Sequence, residues 1–212
     1  QQTISDPRPN TSGSSESSFG IEVQLARDPG AGRGGTSPWA DVNLLVSAPG
    51  ANDAFDQVGV IYSYRPTGSG SAPFALHQIL RSGTPAPGNY FGAWFDVDQG
   101  LLVSTELGAD ELATSSGVIW AFEAVQQQDG TIDWIRMAKL IDPNAGQNNF
   151  SGFVALAGDA ALVGSIGGTG AAPYTGNIGV YPSIRRSYWT GPLDGLWSDA
   201  TNWTPVPPSP SR

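Results

Sequence analysis

The 212-residue chain has no cysteine, a single histidine (His77), a single methionine and only ten basic residues. Without cysteine there are no disulfides and no thiolate centres. One histidine would leave a zinc site to carboxylates, which is rare. A serine nucleophile needs a base beside it; no G-x-S-x-G elbow occurs, and Gly164-Ser165-Ile166-Gly167 has the wrong spacing. His77 alternates with Leu76 and reads as a surface or partly packed strand residue. Charged residues are only 14%, and ten Lys+Arg against nineteen Asp+Glu give a formal charge of −9. The densest basic spot, Arg185-Arg186, falls short of the clustered cations that a phosphate backbone requires, so nucleic acid and anionic membrane surfaces are not expected partners. No apolar run approaches the ~18 residues of a membrane span, so no membrane insertion is expected. The sequence also begins without Met, at Gln1-Gln2. That start fits signal-peptidase cleavage, and low Lys with abundant Ser, Thr, Asn and Gly fits a bacterial exported protein; the expected location is extracellular or cell-surface.

What the chain does hold is glycine, proline and aromatics. Gly and Pro together make up about a fifth of the residues against the usual ~12%, which predicts short strands joined by frequent turns and argues against a helical bundle. The glycines have no three-residue period, which excludes collagen. Aromatics reach 10%, with seven Trp.

A repeat organises the middle. Gly59-Val60-Ile61-Tyr62-Ser63-Tyr64 returns as Gly117-Val118-Ile119-Trp120-Ala121-Phe122 and, more loosely, as Gly176-Asn177-Ile178-Gly179-Val180-Tyr181, at spacings of 58 and 59. Leu44-Leu45-Val46-Ser47 returns as Leu101-Leu102-Val103-Ser104 and as Ala161-Leu162-Val163-Gly164, at 57 and 60. Each unit opens with Phe19-Gly20, Phe91-Gly92 or Phe150-Ser151. The apolar runs are short, β-branched or aromatic, and bounded by Gly, Asp, Asn or Pro, which is strand punctuation. Each unit is expected to hold four strands: one after Phe-Gly, the Leu-Leu-Val strand, the Gly-Val-Ile strand and a last one, Ala75 to Leu80 in the first unit and Trp134 to Ile141 in the second. Gln126 to Gly130 reads as a hairpin connection ending in Asp-Gly. The first unit carries a Gly-rich insertion, Asp28 to Pro38, and the third lacks a counterpart of the last strand.

Phe-Gly, an apolar strand ending near Ser47-Ala48-Pro49-Gly50, and then Gly-Val-Ile-Tyr resemble FG-GAP repeats, the blades of integrin-type β-propellers and of many bacterial exported proteins. The resemblance covers roughly residues 19–183 and rests on Phe19, Gly20, Gly59, Tyr62, Phe91, Gly92, Gly117, Trp120, Phe150, Gly176 and Tyr181. It implies an all-β chain of antiparallel four-stranded blades in three units (about 19–87, 88–149 and 150–183), an extracellular setting, and adhesion or scaffolding. Propellers close with about 4–8 blades, so three units predict an incomplete propeller or an open β-repeat array. An open array leaves pairing edges that must be covered. Members of the family often carry an Asp-x-Asp-x-Asp-Gly calcium loop. Asp96-Val97-Asp98-Gln99-Gly100 lacks the third acid, so no cofactor is expected, with calcium left open; a solvated strand edge is the preferred reading of that pair.

The ends differ from the middle. Residues 1–18 are Ser-rich and nearly free of apolar side chains, and alone would form a disordered arm; tails of this kind are commonly held by adding a strand to a neighbour's edge. Residues 184–212 are rich in Trp and Pro. Tyr188-Trp189-Thr190-Gly191 through Trp197 to Asn202-Trp203 resembles the opening of β-repeats in bacterial secreted and autotransporter-like proteins, and Pro205 to Pro210 reads as an extended linker or the start of another module. Asn10-Thr11-Ser12 and Asn202-Trp203-Thr204 are glycosylation sequons.

Candidate chemistry is sparse. Gly30-Ala31-Gly32-Arg33-Gly34-Gly35 matches G-x-G-x-x-G, but Thr36-Ser37-Pro38-Trp39 opens no helix to face a pyrophosphate, so it reads as a flexible loop. Glu106, Asp110 and Glu111, with Asp53 and Asp56 at the corresponding position of the first unit, are the acids a glycosidase would use; they are expected to be solvated turn acids. Trp94 with Phe95 offers flat faces for sugar, although blade aromatics read as packing residues. Trp189, Trp197 and Trp203 are the candidate glycan or partner contacts. The expectation is a non-catalytic extracellular structural or adhesive protein that binds copies of itself or other surface proteins, assembling into a filament or surface layer through its termini. The alternatives are a glycan-binding module using the terminal Trp residues and, more weakly, a carboxylate-dependent glycoside hydrolase fragment.

Overall fold

The computed structural model describes residues 2–10, 16–27, 42–67, 74–127, 131–141, 151–165, 176–184, 188–189 and 203–204, and every regular element among them is a β-strand. Strands β1 (Val23–Arg27), β2 (Val42–Ala48), β3 (Val60–Pro66) and β4 (Phe74–Leu80) form an antiparallel meander in that spatial order. A second four-stranded meander follows with β5 (Phe91–Asp98), β6 (Leu101–Glu106), β7 (Val118–Gln126) and β8 (Ile132–Leu140). The third sheet has three described strands, β9 (Ser151–Ala157), β10 (Ala160–Ser165) and β11 (Asn177–Tyr181), and a two-stranded ribbon joins β12 (Tyr188–Trp189) to β13 (Trp203–Thr204). Among the described residues no helix occurs and no sheet closes into a barrel, so the fold is all-β with antiparallel four-stranded sheets in an open array. The Gly30 to Gly35 loop, Phe150, Trp197 and Asn202 lie outside the described residues.

The sheets stack face on face. One apolar layer joins Ala26, Leu45, Ile61 and Leu80 of the first sheet to Phe95, Leu102, Trp120, Phe122 and Trp134 of the second. A further layer joins Leu101, Val103, Ile119 and Ala121 of the second to Ala161, Val163, Val154 and Leu156 of the third. The middle sheet is therefore covered on both faces. This is why its strands read as unbroken apolar runs rather than strict alternations: in β7, Val118, Trp120 and Phe122 point one way, and Ile119 and Ala121 the other.

Register corrects one sequence expectation. Val46 pairs with Tyr62, Ser104 with Trp120 and Val163 with Gly179. Hence Leu44 corresponds to Leu102, not Leu101, and the second and third strands of the units superpose at 58 and 59 residues. Since side chains alternate faces with period two, the one-residue difference decides which way each residue points. On this register Leu45, Val103 and Leu162 are equivalent, as are Ile61, Ile119 and Ile178, and as are Gln24, Asp96 and Ala155 along the leading strands.

Two glycines set the junctions. Gly59 has φ +80°, and a Cβ there would lie 2.1 Å from the carbonyl oxygen of Phe91, the first residue of the next sheet. Gly108 sits where a Cβ would lie 2.0 Å from the carbonyl oxygen of Gly88, in the segment entering β5. Close backbone approach at Gly59 lets Phe91 N donate to Val58 O, tying the first sheet to the second, and at Gly108 it lets Gly108 N donate to Asn89 O, holding the segment that enters β5 against the end of β6.

Candidate functional site

The sheet junctions are built from polar side chains aimed at the free edge of the following sheet. Strand β5 leads the second sheet, and its outer edge would otherwise be unpaired. Glu22 accepts from Phe95 N at 2.7 Å; Gln24 accepts from Val97 N at 3.3 Å and donates to Phe95 O at 2.7 Å. The same device recurs one unit on. Asp96 accepts from Leu156 N at 2.6 Å and Asp98 from Gly158 N at 2.9 Å on the third sheet. Gln24 and Asp96 are repeat-equivalent, and so are their targets Val97 and Leu156. On the far side, Gln78 grips both Trp134 N and Trp134 O at 2.9 Å, and His77 Nε2 lies 2.8 Å from Asp133 Oδ1.

Asp96 and Asp98 thus correct the expectation of a solvated edge: they lie in strand β5, half-buried, and each caps a backbone N–H of the next sheet. Burial pushes the Glu22 carboxyl above its ordinary range, against the opposing pull of the Phe95 amide and Gln24 and with the nearby Asp96 charge adding to the rise.

The outward face of the first sheet is covered by the N-terminal arm. Ile4 packs with Phe19 and Ile79 against Val46, Val60, Tyr62 and Tyr64. Asp6 accepts from the Tyr62 hydroxyl, and the Asn10 amide donates to Gly50 O and accepts from Asn52 N. Arg8 and Arg81 both pair with Asp53, and their hydrogen bonds, led by that of Arg81, hold the Asp53 carboxyl below its ordinary value despite partial burial. Most telling is Gln2, which donates to Phe74 O at 3.0 Å and accepts from Phe74 N at 3.1 Å. Leu76 pairs with Tyr64 and Arg136 with Phe122, so Phe74 is the repeat-equivalent of Trp134. Gln2 therefore makes on the first sheet the same two-point grip that Gln78 makes on the second. The arm occupies the place of a preceding sheet.

At the opposite end of the stack, no described residue seals the outer face of the third sheet. Ile61 and Ile119 are 0% exposed, whereas their equivalent Ile178 is 72% exposed; Leu45 and Val103 are 0% exposed, and Leu162 is 41%. Phe153, Ala155, Ala157 and Val180 complete this face. Its described strand residues carry no charge, and alanine stands where the earlier units place the gripping side chains Gln24 and Asp96.

The acids singled out in the sequence are engaged elsewhere. Glu106 is not a solvated turn acid: it ends β6, is fully buried, and accepts from Ser82 Oγ at 2.8 Å, Asn89 Nδ2 at 2.6 Å and the Trp120 indole N–H. Three donors converging on it compensate a charge that would otherwise be costly to bury. Asp110 caps Ser115 N, Glu111 pairs with Lys139, and Asp56 accepts from Asn52. Among the described residues, no three His, Asp or Glu side chains converge as metal ligands. Phe95 is buried, and Trp94 stacks on Phe153 with centroids 4.6 Å apart. Trp189 and Trp203 are direct register partners across the β12–β13 ribbon.

The gripping residues Glu22, Gln24 and Gln78 were missed in the sequence, because a lone Glu or Gln on a strand carries no signal until the register is known. No protein-family model matches the chain, and no curated protein matches it significantly. Among the described residues, no helix is long and apolar enough to cross a membrane.

Proposed function

We propose that this chain is a non-catalytic extracellular structural or adhesive protein of FG-GAP-like units that assembles with copies of itself through exchange of its terminal segments. The observation that carries this reading is the grip of Gln2 on Phe74, which repeats that of Gln78 on Trp134. An arm that substitutes for a neighbouring sheet on its own chain fits the same groove on another copy, with the same contacts and no new chemistry. Exchange of an identical element is a low-cost route to association. The commitment of Glu106, Asp53, Asp96 and Glu111 to structural partners favours a scaffold over a hydrolase. Negative-stain microscopy and light scattering of the full chain test the reading. Concentration-dependent assemblies, lost on deleting residues 1–18 or 189–212, support it; an unassembled protein at high concentration contradicts it.

A glycan-binding reading finds support in the register of Trp189 with Trp203. Saturable quenching of Trp fluorescence by an oligosaccharide, abolished by Trp189→Ala, would favour that reading over assembly.

A further inference from the structure

We infer that the outward face of the first sheet is a sequence-reading seat for an extended peptide, recognised through every second side chain. Its occupant between chains is the arm of a second copy, residues 2–10, which carries the pattern Gln-x-Ile-x-Asp-Pro-Arg-Pro-Asn. This deepens the assembly reading by naming the site, the mode of recognition and the residues that give specificity, and it rests on that reading for the identity of the partner.

Period is the first ground. Along residues 2–10 every even position is half-buried and every odd one exposed. That is the two-residue alternation of an extended chain lying on a surface, yet these residues join no sheet. Each inward side chain meets a partner on the first sheet or its loops. Gln2 holds both backbone groups of Phe74, Ile4 packs into the apolar layer with Val60 and Tyr62, and Asp6 accepts from the Tyr62 hydroxyl. Arg8 pairs with Asp53, while Asn10 donates to Gly50 O and accepts from Asn52 N. Phe74 pairs with Pro66 at one end of β3, and Gly50 lies just past Ala48, which pairs with Val60 at the other end. The arm therefore follows β3 in the opposite direction, covering about 26 Å in eight steps of ~3.3 Å.

Proline sets the mode. Pro7 and Pro9 occupy outward positions, and each biases the residue before it, Asp6 and Arg8, toward extended backbone. The two charged readers are thus held extended before they dock, which lowers the ordering cost of binding. Side chains presented on a proline-stiffened extended backbone are a recurring basis of peptide recognition. The seat offers a backbone grip, an apolar slot, a hydroxyl donor and a carboxylate in fixed order. A peptide shifted by one residue turns every reader outward, so the seat selects sequence and register rather than polarity alone.

In this chain its own arm holds the seat. Asn10 and Ser17 bond the two backbone groups of Gly50, with six residues between them in sequence. So short a tether gives the arm an effective concentration of about 1 mM. For an intrinsic dissociation constant of about 10 µM, the seat is then open about 1% of the time, and a competing segment binds about a hundredfold more weakly. The arm of a second copy presents the same five readers in the same order, so exchange replaces each contact by its counterpart. It enters at high protein concentration, or when the resident arm is loosened.

Fluorescence anisotropy of a labelled synthetic peptide of residues 1–12, titrated with the full chain, tests the inference. Two chain variants open the seat: Ile4→Asp, and Gln2→Ala, which removes only the grip on Phe74. Binding should be saturable and tighter on both opened chains than on the parent, at least tenfold for Ile4→Asp. Alanine at Gln2, Ile4, Asp6 or Arg8 of the peptide should weaken binding at least fivefold, while alanine at Thr3 or Ser5 leaves it within twofold. The Arg8→Ala peptide should lose nothing further on an opened chain that also carries Asp53→Ala, because the two groups act as a pair. Absence of saturable binding to the opened chains, binding as tight to the parent, equal binding of a scrambled peptide, or losses as large at odd positions as at even ones would each overturn the seat. The failures separate cleanly. Assemblies of the full chain without peptide binding remove the seat and leave the assembly reading. Patterned peptide binding by a chain that never assembles removes the assembly reading and keeps the seat.

Discussion

Glu106 illustrates how far a residue's role depends on its surroundings. In sequence it belongs to a run of turn acids; in the fold it is a buried acceptor for Ser82, Asn89 and Trp120. Removing the carboxylate leaves those donors unsatisfied, at about 1–3 kcal/mol each. Glu106→Ala should therefore lower stability by roughly 3–5 kcal/mol, in line with breaking a buried charged network, as read from urea unfolding. Tyr64 makes the opposite point. Its hydroxyl is buried with no hydrogen-bond partner among the described residues, and burial pushes its ionisation up to about 12. The unfolded group ionises near pH ~10, so its contribution is intact below that pH and is lost as pH rises through the folded value. Stability should fall between about pH 10 and 12, less steeply in Tyr64→Phe, which at neutral pH should be neutral or up to ~1 kcal/mol more stable because no satisfied hydrogen bond is removed. Gly59 tolerates neither a Cβ clash with Phe91 O nor an ordinary side chain at φ +80°. Gly59→Ala should cost at least ~2 kcal/mol by calorimetry, combining αL strain with a forced backbone shift.

At the level of elements, the recurring device is a polar side chain on one sheet capping the leading edge of the next. Asp96→Ala removes the cap on Leu156 N and should cost about 1–3 kcal/mol. Hydrogen exchange should quicken at Leu156 and far less at Phe95, whose cap comes from Glu22; equal quickening at both would count against separate junctions. These elements were legible to different degrees. The Gly-Val-Ile strands stood out because Gly59, Gly117 and Gly176 share a left-handed conformation and precede like-patterned runs. The Leu-Leu-Val match slipped by one residue in the second unit, since Leu101 and Leu102 are alike in type and only cross-strand pairing separates them. The grips of Glu22, Gln24 and Gln78 were illegible, because their partners are backbone groups 56 to 73 residues away. The arm was read as a tail: its composition is polar, and a single apolar side chain, Ile4, sufficient to seat it, is no signal against so polar a background.

For the molecule as a whole, the consequence is a polar stack: one end finished by its own arm, the other left as apolar sheet. The arm is secured partly by Arg8 on Asp53, whose carboxyl is held below its ordinary value by Arg81 and Arg8. A depressed acid contributes stability above its unfolded pKa and loses it as pH falls through the folded one. Protease nicking of residues 2–10 should therefore accelerate below about pH 4, and Asp53→Asn should show the fast rate already at neutral pH. The central claim is that, among the described residues, one sheet face repeated three times is covered twice and open once. Unfolding of the three single variants Ile61→Lys, Ile119→Lys and Ile178→Lys in dilute solution measures it most directly, since the side chain, the substitution and the repeat position are the same in each. The account predicts losses of roughly 4 kcal/mol or more for the first two, which place a charge in a sealed layer, and a change within about 0.5 kcal/mol for the third. A comparable loss at all three positions, or tolerance at Ile61 and Ile119, would contradict it.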